Sequence, residues 1–83
     1  MVLEETELKI LKALYEDGYN YIARDENKNL KAYQDKPYKL LNVYYWQTSS
    51  YAPEDLGYVK VLFPHIKWED KEPTSIERLL KWF

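Results

Sequence analysis

The stretch from Gly18 to Pro37, GYNYIARDENKNLKAYQDKP, restricts this chain more than any other. It reads as a glycine stop, a strand, a polar turn, a second strand and a proline stop. Tyr19, Tyr21 and Ala23 alternate with Asn20, Ile22 and Arg24, the period of an extended chain. Leu30, Ala32 and Gln34 then alternate with Lys31, Tyr33 and Asp35. Between them, Asp25 to Asn29 is polar and rich in Asn, a residue that tolerates the left-handed backbone of a tight turn. Pro37 cannot donate to a ladder and ends the pairing. A β-hairpin is expected here, and the remaining elements are placed around it.

A helix is expected before it, over residues 3–17. Leu8, Leu11, Leu14 and Tyr15 make an apolar stripe, Glu5 and Lys9 stand at i,i+4, and Glu4, Glu5 and Glu7 suit the positive end of the helix. Gly18 follows where a left-handed terminating residue is wanted. A second helix is expected from about Ser75 to Trp82. Thr74 with Glu77 has capping-box spacing just after Pro73, and Ile76, Leu79, Leu80 and Phe83 form the apolar side.

Between the hairpin and the last helix, YKLLNVYYWQ (38–47) is dense in aromatic and β-branched residues and reads as one strand. Apolar groups fall on both of its faces. Either it is central and covered on both sides, or one face is an exposed aromatic patch. Residues 48–57 read as a loop, Tyr58 to Phe63 as a short strand stopped by Pro64, and His65 to Trp68 as a further extended piece. The fold class is therefore α+β: an N-terminal helix, a small antiparallel sheet of three to five strands and a C-terminal helix. Both helices are expected on one face of the sheet, in a single domain over residues 1–83.

Charge and composition narrow the function. Acidic residues outnumber basic ones, the net charge is −2 and the pI is about 5.4. A duplex nucleic-acid binder usually carries a basic face and a high pI. There is no cysteine, which excludes disulfide and thiolate chemistry. No apolar run approaches the roughly 20 residues that span a bilayer. The acidic N-terminus, MVLEETELK, lacks the basic start and apolar run of a signal peptide, so a cytoplasmic location is expected.

No motif points to catalysis, a cofactor or a metal. His65 is the only histidine and sits inside an apolar run. Ser49 and Ser50 have no glycine elbow, and two glycines cannot build a phosphate loop. Asp25 to Asn29 lacks the spacing, central glycine and terminal glutamate of a calcium loop. Glu54–Asp55 and Glu69–Asp70 are adjacent pairs, whose side chains diverge on extended backbone. What remains is aromatic: Tyr44, Tyr45, Trp46 and Tyr51 cluster near the loop. Such rings serve protein contacts. They also stack bases, with Arg24, Lys31 or Lys39 to neutralise phosphate. The candidate binding residues are therefore Tyr44, Trp46, Tyr51 and Arg24.

Several pieces of this chain resemble a group of small uncharacterised proteins from phages and prophages of Gram-positive bacteria. They are Ala23-Arg24-Asp25, Leu30 to Tyr33, Lys36-Pro37, and Ile66-Lys67-Trp68-Glu69-Asp70 with Glu72-Pro73. The similarity covers roughly residues 18–37 and 62–80. It departs at Asn27-Lys28-Asn29, where the group usually has Asp-Gly. The resemblance implies a non-enzymatic phage accessory protein in the host cytoplasm that binds a host protein, including as an inhibitor of host defence. A nucleotide or single-stranded nucleic-acid binder with an aromatic face is the alternative, and a homodimer is possible in either case. The hairpin itself reads as scaffold, so a functional surface is expected on the strand and loop that follow it.

Overall fold

The computed structural model describes residues 3–48 and 52–81. Helix α1 (Glu5–Glu16) leads into β1 (Tyr21–Arg24) and β2 (Leu30–Tyr33). Then come β3 (Tyr38–Leu40), β4 (Tyr45–Gln47), β5 (Glu54–Asp55), a 3₁₀ turn (Gly57–Val59), β6 (Thr74–Ser75) and α2 (Ile76–Lys81). The fold is α+β, with the helices at the two ends of the described chain. Ser49, Ser50 and Tyr51 of the expected loop, and Trp82 and Phe83 of the expected last helix, lie outside the described residues.

Both ends of α1 are closed by local bonds. The Glu7 carboxylate accepts the backbone N–H of Glu4 at 2.9 Å. At the far end Gly18 N–H donates to Tyr15 O and Tyr19 N–H to Leu14 O, the paired bonds of a Schellman motif. Gly18 has φ +96°, which a side chain resists, so the glycine terminates the helix as its position predicts.

The expected hairpin forms. Tyr21 pairs with Tyr33 and Arg24 with Leu30, and Asp25 N–H to Asn29 O closes the turn at 2.9 Å. The left-handed residue of that turn is Lys28 (φ 74°), not an asparagine. A non-glycine residue there costs on the order of 1 kcal/mol. Lys28→Gly is therefore expected to raise the unfolding free energy by about 0.5–1 kcal/mol, read by urea denaturation. The hairpin forms the middle of a four-stranded antiparallel sheet of order β5-β2-β1-β6.

Each face of this sheet is covered by different material. Ile22, Leu30 and Ala32 point to the face where Leu11 and Leu14 of α1 and Ile76 and Leu79 of α2 pack, together with Leu56, Phe63 and Ile66. Both helices thus share one face, as expected. Ala23 and Tyr33 point the other way, onto Trp46, with Tyr21 and Trp68 at the margin.

Four local expectations are corrected. Residues 38–47 form two short strands, not one. β3 and β4 pair as a separate hairpin, Tyr38 with Gln47 and Leu40 with Tyr45, around a turn at 41–44. Apolar density signals extended backbone but does not locate a reversal, and Asn42 is the only turn-forming residue inside the run. Residues 58–63 are not a strand; they run from the 3₁₀ turn into bends. Their carbonyls are gathered by a side chain, as described below, and not by a neighbouring strand. His65 to Trp68 is likewise turn and irregular chain. At α2 the cap is Ser75, whose Oγ accepts Arg78 N–H at 3.2 Å, because Thr74 is held in β6 against Ile22.

Candidate interaction surface

Arg24 is spent on the fold. It sits at the end of β1, on the helix-covered face with Ile22. Its Nε donates to Ile66 O at 2.7 Å. Nη1 donates to Lys28 O and Lys60 O at 2.9 and 2.8 Å. Nη2 donates to Leu62 O and Phe63 O at 2.8 and 3.0 Å. A guanidinium has five N–H donors, and all five are used. This one side chain takes the place of a strand for residues 60–66. Burial lowers its pKa from the ordinary value, and carbonyl dipoles rather than a carboxylate surround the charge.

Trp46 is buried as well, with 4% of its surface exposed. Its backbone N–H donates to the Asp25 carboxylate at 2.9 Å, and its indole Nε1 donates to Arg24 O at 3.1 Å. Trp68 meets it edge-on, ring centroids 6.4 Å apart at 80°. Lys39 Nζ lies 4.3 Å from the centroid of Trp68 and 5.1 Å from that of Trp46. It donates to the carbonyls of Trp68 and Asp70. The expected contact residue Trp46 is instead the post that fastens the β3–β4 hairpin to the main sheet.

Asp25 is the partner that sequence reasoning missed. It is 3% exposed and pairs with Lys31 Nζ at 3.4 Å while accepting Trp46 N–H. In the sequence it is one more polar turn residue, and its burial depends on a hairpin that docks 20 residues later. Glu7 is hidden in the same way: it is buried, and its second oxygen accepts Phe63 N–H. That bond holds Phe63 at φ 57°.

The cations proposed for phosphate are thus all engaged: Arg24 with five carbonyls, Lys31 with Asp25, and Lys39 with two carbonyls and two rings. The paired carboxylates serve turns. Asp55 Oδ1 accepts Gly57 N–H at 2.8 Å and Asn29 Nδ2 at 3.3 Å, and Asp70 Oδ2 accepts Lys67 N–H at 3.0 Å. Among the described residues no group of three His, Cys, Asp or Glu is placed to hold a metal ion, and no helix is long and apolar enough to cross a membrane.

Among the described residues two buried polar atoms have no hydrogen-bond partner: the Tyr33 hydroxyl and His65 Nε2. Burial, with the Asp25 charge second, pushes the Tyr33 phenol up, so it stays neutral. Burial pushes His65 below its ordinary 6.5, against the opposing pull of Glu7 and Asp70 and with help from Arg24. The unfolded chain therefore takes up a proton near pH 6.5 that the folded chain resists. Stability is full above that pH and falls as pH drops through it. His65→Gln is expected to have a shallower loss of Tm between about pH 7 and pH 5.5 than the parent protein. Equal slopes would show that His65 does not titrate differently in the two states.

Tyr44 alone among the four candidates is both described and exposed, at 59%. It lies in the turn between β3 and β4 with φ 60°, an uncommon backbone for an aromatic residue. Its N–H donates to Leu40 O at 2.9 Å and its carbonyl accepts Glu26 N–H at 3.3 Å. Beside it Leu41 is 68% exposed, and Tyr38, Val43 and Tyr45 are also in contact with solvent. Tyr51 lies outside the described residues. Tyr44, Trp46 and Arg24 do not converge on one site; they divide between surface and scaffold.

No family model, curated protein or solved structure matches this chain.

Proposed function

We propose that this chain is a phage or prophage accessory protein that acts in the host cytoplasm by binding a host protein. The contact surface is the β3–β4 turn with its flanking strands. One observation carries this reading: Leu41, Val43, Tyr44 and Tyr45 are consecutive or nearly so, large, apolar and exposed. Burying them against a partner would remove apolar surface from water, the main favourable term in association. Tyr is also favoured at interface centres. The left-handed backbone of Tyr44 closes the turn through Leu40 O and leaves its ring exposed on the same surface. The resemblance of residues 18–37 and 62–80 to phage proteins supplies the setting, and inhibition of a host defence is the most specific form of the proposal.

The test is capture from nuclease-treated lysate of a Gram-positive host, comparing the parent chain with Leu41→Ser/Tyr44→Asn. Asn accepts the left-handed backbone, so the fold is retained. The parent should retain a discrete host protein that the double variant loses. Retention of the same protein by both would remove the turn from the interface. Self-association detected by sedimentation and lost in the double variant would make the turn a homodimer contact instead.

A further inference from the structure

β6 covers only Tyr21 and Ile22 of β1, leaving the Ala23–Arg24 half of that strand beyond its reach. Beside this uncovered half runs a groove of about 490 Å³, between the β1–β2 turn and residues 60–69. Lys28, Lys60 and Lys67 line it, and none of them forms an ion pair among the described residues. Arg24 lies against the same groove, and its charge faces carbonyl oxygens with no carboxylate to neutralise it. Glu26 and Glu69 also stand on the lining, and Asp25 is already matched by Lys31. On a chain of net charge −2 the groove is thus a local excess of positive charge. Its apolar part is exposed too: Val61 is 84% accessible, and the half-buried Trp68 stands on the lining.

We infer that this groove takes a carboxylate-rich apolar peptide segment of the partner protein. Lys28, Lys60 and Lys67 pair with its acidic side chains, and Val61 and Trp68 receive its apolar ones. The inference rests on the protein-binding reading above and names the chemistry of the partner. Continuity supports it, since Glu26 on the groove donates its N–H to Tyr44 O in the apolar turn, so one ligand can lie across both. A nucleic-acid strand fits less well. It carries a phosphate at every step, would have to pass Glu26 and Glu69, and finds the Arg24 fork already occupied.

The experiment follows the tryptophan indole ¹⁵N resonances of the full chain, with the Trp68 signal assigned through Trp68→Phe. The probe is a short peptide of alternating glutamate and leucine. Its controls are the same peptide with lysine for glutamate and an oligothymidylate of equal length. The acidic peptide should shift the Trp68 resonance and bind at least fivefold more weakly at about 300 mM than at about 50 mM salt. Lys60→Glu/Lys67→Glu should abolish the shift while other resonances stay in place. The inference is overturned if either control shifts Trp68 equally, or if the acidic peptide does nothing at millimolar concentration. Lysate capture separates the two surfaces. A host protein lost by Leu41→Ser/Tyr44→Asn but kept by Lys60→Glu/Lys67→Glu overturns the groove and keeps the turn. The opposite pattern keeps the groove and overturns the turn.

Discussion

Arg24→Ala is expected to lower the unfolding free energy by about 3–4 kcal/mol, a large fraction of the roughly 5–15 kcal/mol that holds a small domain. Five carbonyls lose their donor at once: those of Lys28, Lys60, Leu62, Phe63 and Ile66. Each bond to a charged donor is worth roughly 1.5–3 kcal/mol where buried. The total falls well short of five times that, because the bonds to Lys28 and Lys60 are exposed and water replaces them. Arg24→Lys should recover little, since one ammonium has three donors and no planar fork. Urea denaturation of both variants checks this. A lysine variant within about 0.5 kcal/mol of the parent would mean that charge alone, not the five-way geometry, holds residues 60–66.

Trp46→Ala is expected to cost a similar amount, about 3–5 kcal/mol, for a different reason. The indole fills the space beneath Ala23 and Tyr33, meets Trp68 edge-on and caps Arg24 O at the uncovered part of β1. Removing it leaves a cavity, frees that carbonyl and strips Lys39 of one of its two rings. The β3–β4 hairpin should loosen first, because two three-residue strands are too short to persist without a covering core. Amide hydrogen exchange would show it. Fast exchange of the backbone amide at position 46, which in the parent donates to the Asp25 carboxylate, should appear in the variant while Ile22 and Ala32 remain protected.

The sequence is legible where one local rule decides the outcome. Gly18 stops a helix because few other residues accept φ +96°, and the alternation through Tyr21 to Tyr33 makes a hairpin because a register slip would expose Ile22 and Leu30. It is not legible where a distant group decides. Residues 58–63 look like a strand, and they bend because Arg24, more than 35 positions earlier, collects their carbonyls. Asp25 reads as turn chemistry until β4 arrives to bury it. The same distance effect divides the candidate contact residues. Aromatic and basic character marked Trp46 and Arg24 as contact residues alongside Tyr44, yet residue type does not say which ring turns inward. Ala23-Arg24-Asp25, Leu30 to Tyr33 and Trp68, the pieces from which a phage origin is expected, have structural tasks of their own.

Folding stability measured side by side for Trp46→Ala and Leu41→Ser/Tyr44→Asn separates scaffold from surface most directly. If Trp46 is a post of the fold and the β3–β4 turn is a contact face, the first variant loses about 3–5 kcal/mol and the second stays within about 0.5 kcal/mol of the parent. A double variant that falls as far as Trp46→Ala would show that Leu41 and Tyr44 are packed in the folded protein, and the contact face would have to be sought elsewhere.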